Sequence, residues 1–165
     1  IYYLLNHGII SESDDMKFRP NDGITRAEFV KLMIIAASLY DENASCTFSD
    51  VKSGEWYYGY IASAAKYKLV NGRDENLFEP HNSISREEAA VIIMRAFGGI
   101  LSADESKEVF LDDDMISDWA YDAVYKARNT AVMSGIGDNR FDPSGGLTRA
   151  MSAVIIYRVM KAVKG

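Results

Sequence analysis

Three arginines of this chain share one sequence context. Arg26, Arg86 and Arg149 each follow directly after a threonine or serine that can cap a helix. Each arginine is therefore predicted at a helix start, where the helix dipole disfavours a cation by about 0.3–1 kcal/mol. Because this preference is violated at three equivalent positions, we expect the arginines to have a role that compensates for the cost. One such role is an anion site, in which the guanidinium and the helix N-terminal amides bind a carboxylate together.

The sequence leaves a structural role for these arginines open. Acids that lie nearby in the sequence, such as Asp14, Asp74 or Glu79, could form ion pairs that fasten a loop to the core. Trp56 and Trp119 present a similar choice, because aromatic rings pack on sugar C–H faces but at helical spacing also form cores. Both tryptophans are candidate ligand-binding residues on the chemistry of their rings.

Other reactive residues do not form a recognisable site. Residues 74–76 resemble the beginning of a calcium loop, but Phe78 stands where a third oxygen ligand belongs. Asp50 and Asp113 are expected to cap the turn into a helix. The two histidines do not occupy equivalent positions, and no serine or cysteine is partnered with them in a known catalytic motif. We therefore predict no metal, no other cofactor and no catalytic residue.

The elements that position the arginines form an internal repeat. Residues 1–37 align without a gap on residues 61–97, and residues 56–97 align on residues 119–160. All three prolines and both tryptophans fall in register. Self-similarity at a fixed period indicates a repeat architecture. The predicted units of the single domain cover approximately residues 1–44, 45–107 and 108–165, and the first unit lacks the opening segment of the others.

Each complete unit is predicted to be a helix, a loop and a second helix. The first helix covers about residues 56–69 or 119–133 and ends near Gly72 or Gly135, where glycine can take the left-handed conformation. The loop carries a Phe-x-Pro step, and proline keeps its predecessor out of a helix. These signals indicate that each unit turns sharply between its two helices.

The second helices begin at capping residues. In the first unit Thr25 and Glu28 can form a capping box, in which each side chain accepts a backbone amide of the other. Ser85 and Glu88 repeat this pair in the second unit, whereas Met151 breaks it in the third. The helices that follow are apolar on nearly all faces, which is typical of buried helices. We predict that the three pack together at the centre with pseudo-threefold symmetry.

Composition narrows the classes of function. With 48% hydrophobic and 25% charged residues among 165, the chain can bury a core. A net charge of −6 argues against nucleic acid as a partner. No apolar run reaches the roughly 18 residues of a spanning helix, so we predict no membrane insertion and expect any signal peptide outside this sequence. The single cysteine, Cys46, excludes an internal disulfide.

The ordered motifs resemble S-layer homology (SLH) repeats. Those of the second unit are Phe48-Ser49-Asp50-Val51, Trp56-Tyr57-Tyr58, Leu69-Val70-Asn71-Gly72, Phe78-Glu79-Pro80 and Ile84-Ser85-Arg86-Glu87-Glu88. In the first unit, residues 24–28 match the family's Thr-Arg-Ala-Glu signature. The third unit keeps Phe110, Trp119, Gly135, Phe141, Pro143 and Thr148-Arg149-Ala150. The resemblance covers essentially the whole chain.

The resemblance implies an all-α domain of three SLH repeats, shaped as a three-pronged spindle around a central three-helix bundle. Grooves between the prongs would bind secondary cell-wall polysaccharide, often pyruvylated, and so anchor a secreted protein to the bacterial cell wall or S-layer. The signature arginine contributes to binding in the family, a role that passes to Arg26, Arg86 and Arg149 only. The implied module is not an enzyme and is expected to be monomeric in isolation. The alternative is a protein-interaction or self-assembly module of a surface layer.

Overall fold

The computed structural model describes residues 4, 17–74, 76–102 and 108–164. Its helices are α1 (Arg26–Ala37), α2 (Tyr58–Lys66), α3 (Arg86–Phe97), α4 (Tyr121–Asn129) and α5 (Arg149–Lys164), with a short 3₁₀ turn at Asp113–Met115. Within these described ranges, paired extended backbone is limited to isolated β-bridges. The predicted all-α fold is confirmed.

The long helices α1, α3 and α5 begin at the predicted caps. Glu28 accepts the Thr25 amide at 2.8 Å, and the Glu28 amide donates to the Thr25 hydroxyl at 3.2 Å. The Ser85 and Glu88 pair repeats this geometry at 2.9 and 3.2 Å. At α5 only the bond from the Met151 amide to the capping hydroxyl forms, at 3.2 Å. The broken box in the third unit is confirmed.

Helix α1 packs against both α3 and α5. Its apolar residues Phe29, Val30 and Ile34 have no exposed surface, as expected of a helix that is apolar all round. The shorter helices pack in sequence order on the long ones, α2 on α1 and α4 on α3. The small residues Ala62 and Ala64 of α2 are buried, which permits close approach. The spindle shape itself stays a prediction.

The loops before the long helices join in a closed ring of backbone hydrogen bonds. The Ile24 amide donates to the Leu147 carbonyl at 3.0 Å, Leu147 donates to Ile84 at 3.3 Å, and Ile84 donates back to Ile24 at 3.3 Å. All three residues are buried. A cyclic order of equivalent bonds is what pseudo-threefold packing of three units predicts. The ring brings the three arginine-bearing helix starts together.

The short helices are shorter than the sequence predicts. They end where Lys68 and Ala131 take left-handed backbone conformations, with φ of 57° and 56°. The prediction that Gly72 and Gly135 close these helices is wrong, because neither has a positive φ. Glycine is required there by close packing: a Cβ atom would lie 2.6 Å from a backbone carbonyl oxygen at Gly72 and 2.5 Å from one at Gly135.

Two aspartates hold the Phe-x-Pro loops. The Asp50 carboxylate accepts two successive loop amides at 2.9 and 2.6 Å, and the Asp112 carboxylate accepts the equivalent amides at 2.8 and 2.7 Å. The predicted helix caps at Asp50 and Asp113 are therefore wrong. Asp113 instead accepts the hydroxyl of Tyr125. These long-range bonds fix each loop beside the arginine of a neighbouring unit.

Candidate ligand-binding grooves

Two surface grooves occupy equivalent places in the repeat. Groove A is lined by Arg26, Leu69, Val70, Asn71, Gly72, Arg73, Glu88, Val91, Ile92, Arg95 and Trp119. Groove B is lined by Arg86, Met133, Ser134, Gly135, Ile136, Ala150, Met151, Val154, Ile155 and Arg158. Their volumes of about 330 and 410 Å³ suit a small ligand or a short polymer segment. Each groove thus contains one signature arginine and a second arginine from the following long helix, Arg95 or Arg158, and groove A also contains Arg73.

The three signature arginines make the same contact with a neighbouring unit. Each Nε donates to the carbonyl oxygen of a Phe-x-Pro phenylalanine, and each guanidinium stacks on that ring. The pairs are Arg26 with Phe78 (2.9 Å to the carbonyl), Arg86 with Phe141 (2.6 Å) and Arg149 with Phe18 (2.8 Å). This part of each side chain is structural, because it joins successive units in a cycle.

The helix N-terminal amides do not face a ligand. The amides of Arg26 and Ala27 donate at 2.9 and 3.0 Å to loop carbonyls of the second unit, and the other two long helices have the equivalent bonds. Backbone donors that are already paired cannot also bind an anion. The predicted contribution of these amides to an anion site is therefore wrong. Any anion in the grooves must be bound by side chains.

The outer edges of the guanidinium groups differ between units. In groove A the Nη1 of Arg26 pairs with the Glu88 carboxylate at 2.8 Å, and Arg73 binds the same carboxylate at 2.6 and 2.8 Å. Glu28 faces the Nη1 of Arg149 at 3.7 Å. The partner of Arg26 is thus the capping-box glutamate of the next unit, and not Asp74 or Glu79. Asp14 lies outside the described residues.

Arg86 has no such partner. Met151 stands where the other units have glutamate, and in the described part of the chain no carboxylate lies within ion-pair distance of Arg86. The side chain is only 5% exposed, and its Nη2 donates to the Ser134 carbonyl at 2.8 Å. Burial lowers the pKa of Arg86, while the charges of Asp142 and Asp112 act in the opposite direction. Since arginine stays protonated in proteins, groove B contains a buried positive charge without an ion-pair partner.

Comparison with known proteins agrees with this repeat geometry. The model of the S-layer homology domain matches residues 1–30, 47–90 and 109–150, which is more than half of the chain. The chain belongs to the S-layer homology family. Membership confirms the resemblance and the expected location at the bacterial cell surface.

Relatives of this SLH domain include enzymes and surface proteins. It is 37% identical to an amylopullulanase of Thermoanaerobacterium thermosulfurigenes over 98% of the chain and 9% of that protein. It is 29% identical to the surface-layer 125 kDa protein of Lysinibacillus sphaericus over 97% of the chain and 14% of that protein. A cellulosome-anchoring protein of Acetivibrio thermocellus is 27% identical over 87% of the chain and 33% of its own length. The SLH domain thus spans a third or less of these proteins.

Both tryptophans of the SLH domain are exposed, Trp56 by 53% and Trp119 by 59%. Trp119 lines groove A because two hydrogen bonds from Ser117 to Glu87, at 3.0 and 3.1 Å, fix the segment before α4 against α3. Trp56 lies outside both grooves, with the Lys31 amine 5.5 Å from its ring centre. Exposure disfavours the alternative that these rings form core.

Sequence reasoning gave no role to the second arginine of each groove. Arg95 and Arg158 align in the repeat, and that agreement was the available signal. Both are exposed, and within the described residues each makes only a long bond to a backbone carbonyl, at 3.3 and 3.5 Å. Their cationic ends therefore face solvent within the grooves.

In the described ranges no helix is both long and apolar enough to span a bilayer.

Proposed function

We propose that this SLH domain anchors its parent protein non-covalently to the bacterial cell wall by binding secondary cell-wall polysaccharide. The acidic group of the polymer, such as the carboxylate of a pyruvyl ketal, binds in groove B. Among the five residues predicted from the sequence, only Arg86 lines groove B; Arg26, Arg149, Trp56 and Trp119 stay predicted contacts for other parts of the polymer, and Arg149 and Trp56 lie outside both grooves. Arg86 carries the acid contact.

The buried guanidinium of Arg86 is the observation that supports this proposal. A largely buried charge without an ion-pair partner is costly, and Nη1 of Arg86 has no hydrogen-bond acceptor in the described part of the chain although it is not fully buried. A ligand carboxylate at Nη1 would complete the pair. A hydrogen bond to a charged group contributes about 1.5–3 kcal/mol.

The rest of groove B suits an acidic sugar. Arg158 supplies a second positive charge, and the described lining contains no acid. Ile136, Met151 and Val154 add exposed apolar surface to the same groove. A pyruvyl ketal presents a carboxylate beside a methyl group, and this pairing of charge with apolar surface fits the groove.

The proposal describes a binding module without catalytic residues that is monomeric in isolation. Some relatives are enzymes, and their SLH segment is a small share of each chain. Catalysis in a parent protein of this kind would reside in another domain. The cell-wall contact would then concentrate that domain at the bacterial surface.

A sedimentation assay with purified sacculi tests the anchor. The domain should bind intact sacculi and lose binding after hydrofluoric acid removes the secondary polymers. Binding that survives this treatment would exclude the polymer as the ligand. Self-association by light scattering without sacculi would instead favour the self-assembly alternative.

Arginine variants test the groove. Arg158→Ala should weaken polymer binding by about tenfold or more, because it removes one charge-assisted hydrogen bond to the ligand. It should leave the melting temperature unchanged because Arg158 is exposed. Arg86→Ala should weaken binding and also lower stability, since its Nε contact with Phe141 is lost. Arg140→Ala is the matched control, an exposed arginine of the same unit outside the groove lining. Equal affinity of Arg158→Ala and Arg140→Ala would contradict the assignment.

A further inference from the structure

Grooves A and B differ at two aligned positions that change their charge pattern. Where groove A has Arg73 and Glu88, groove B has Ile136 and Met151. Most of the remaining lining aligns residue by residue, including the signature arginine and the second arginine from the following long helix. The two grooves can therefore be compared within one chain, because groove A has an internal carboxylate and groove B does not.

In groove A the internal carboxylate occupies the place of an acidic ligand. Glu88 lies between Arg26 and Arg73, at 2.8 and 2.6 Å from the nearest guanidinium nitrogens. Burial would raise the pKa of Glu88, but the bonds from Arg73 and the capping amide outweigh this and leave the pKa below its usual value. Glu88 is thus ionised at neutral pH. A second carboxylate beside it would face a like charge in a partly buried site.

We infer that the residue at this one position decides whether a groove accepts an acidic ligand, so that Glu88 closes groove A to an acid and Met151 opens groove B. This inference rests on the proposed function and adds a specificity-determining residue to it. The acidic group of the polymer is then bound in groove B, and not in groove A.

Local geometry makes the exchange of these residues feasible. The Met151 amide already donates to the Thr148 hydroxyl at 3.2 Å, as the Glu88 amide does to Ser85. A glutamate at position 151 can therefore complete the capping box and reach the Arg86 guanidinium as Glu88 reaches Arg26. Met151 is 40% exposed, so a glutamate side chain, which has about the same length, has room.

Calorimetric titration with a pyruvyl ketal of a methyl hexoside tests the inference, and its carboxylate methyl ester serves as the uncharged probe. Met151→Glu should weaken binding of the acidic probe on the order of tenfold to a hundredfold, because the probe loses one charge-assisted hydrogen bond that contributes this much to binding. Met151→Gln should bind the acid like the parent, because glutamine restores the cap without the charge. Ala162→Glu adds the same charge at an exposed position of α5 outside the groove and should change nothing.

The reciprocal variant is Glu88→Gln, which keeps the cap and removes the internal charge. A second binding event for the acidic probe should appear, and it should disappear again in Glu88→Gln combined with Arg26→Ala. Binding of the acid by Met151→Glu at parental affinity would overturn the inference. An equal loss in Ala162→Glu would overturn it as well, because net charge alone would then explain the effect.

Failure of the inference can be distinguished from failure of the proposed function. If the parent domain does not bind cell-wall polymer, or if Arg158→Ala binds it normally, the proposed function is wrong. If Arg158→Ala abolishes polymer binding while Met151→Glu has no effect, only the inference is wrong. Thermal melts show that lost binding is not lost folding, since Met151→Glu should melt at or above the parental temperature.

Discussion

Replacing Asp112 by alanine should release the loop that presents the Phe141 carbonyl and ring to Arg86. Asp112 is 4% exposed, and its two carboxylate oxygens accept the amides of Phe141 and Asp142 at 2.8 and 2.7 Å. Asp142 lies in the left-handed region, with φ of 58°, a conformation that non-glycine residues adopt at a cost. Without the carboxylate, the loop loses the contacts that stabilise this conformation.

The magnitude follows from the two bonds. Each hydrogen bond to a charged group contributes about 1.5–3 kcal/mol, so the pair contributes about 3–6 kcal/mol. Water that enters the vacated space recovers part of this, and we expect the free energy of unfolding to fall by about 3 kcal/mol. For a domain of this size, that loss lowers the melting temperature by about 6–12 °C.

Urea titration followed by circular dichroism measures this loss. Asp114→Ala is the matched control, because Asp114 is an exposed aspartate two residues along the chain. Asp50→Ala should repeat the loss in the second unit, where the carboxylate accepts amides at 2.9 and 2.6 Å. An Asp112→Ala midpoint equal to that of Asp114→Ala would refute the reasoning that these carboxylates hold the loops.

The environment of Asp112 also leads us to predict that the folding stability of the domain depends on pH. Burial raises the pKa of Asp112, but the hydrogen bonds from the Phe141 and Asp142 amides outweigh it, so the pKa lies below its usual value. A depressed folded pKa stabilises the folded state above the unfolded pKa of about 4, and this contribution is lost as pH falls through the folded pKa. The stability difference between the parent and Asp112→Asn should therefore shrink in acid. A difference that stays constant from neutral pH to about pH 2 would contradict this linkage.

Three further predictions concern the core, a glycine and a tyrosine. Ile34→Ala removes a side chain with no exposed surface and should cost about 2–5 kcal/mol in urea titration. Gly135→Ala places a Cβ atom 2.5 Å from a carbonyl oxygen and should lower the melting temperature, whereas Gly99→Ala, with no atom within 4 Å, should not. Burial and the hydrogen bond to Asp113 raise the pKa of Tyr125 to about 12. Its absorbance should therefore still be that of a phenol at about pH 11, where free tyrosine is largely ionised.

The helices and caps were predictable from the sequence because they depend on local spacing. Thr25 and Glu28 are three residues apart, and a capping box needs nothing else to form. The apolar character of the long helices likewise predicted their burial without knowledge of their neighbours. The repeat alignment predicted pseudo-threefold packing, and the cyclic order of the backbone hydrogen bonds agrees with that prediction.

Long-range pairings were not predictable in the same way. Asp112 and Asp113 belong to a run of three consecutive aspartates that follows Leu111, and the one that binds the loop 29 residues later is Asp112 rather than Asp113. Local spacing favours a helix cap for either of them, whereas the packing of the units selects the partner. The second role of Glu88, as the ion-pair partner of Arg26, was hidden for the same reason, because the two lie in different units.

The arginines show how repetition and deviation carry different information in a repeat protein. The Nε bond and ring contact occur in all three units, so joining the units explains why an arginine recurs at a helix start despite the dipole. The recurrence of the arginine in all three units is therefore explained by its structural role. The outer guanidinium edge varies, because the residue that faces it is Glu88 in one groove and Met151 in the other. A deviation that leaves a buried charge without its internal partner is unfavourable for stability, and a ligand that supplies the missing carboxylate removes that cost. The unit that departs from the repeat is therefore the one in which to seek the binding site.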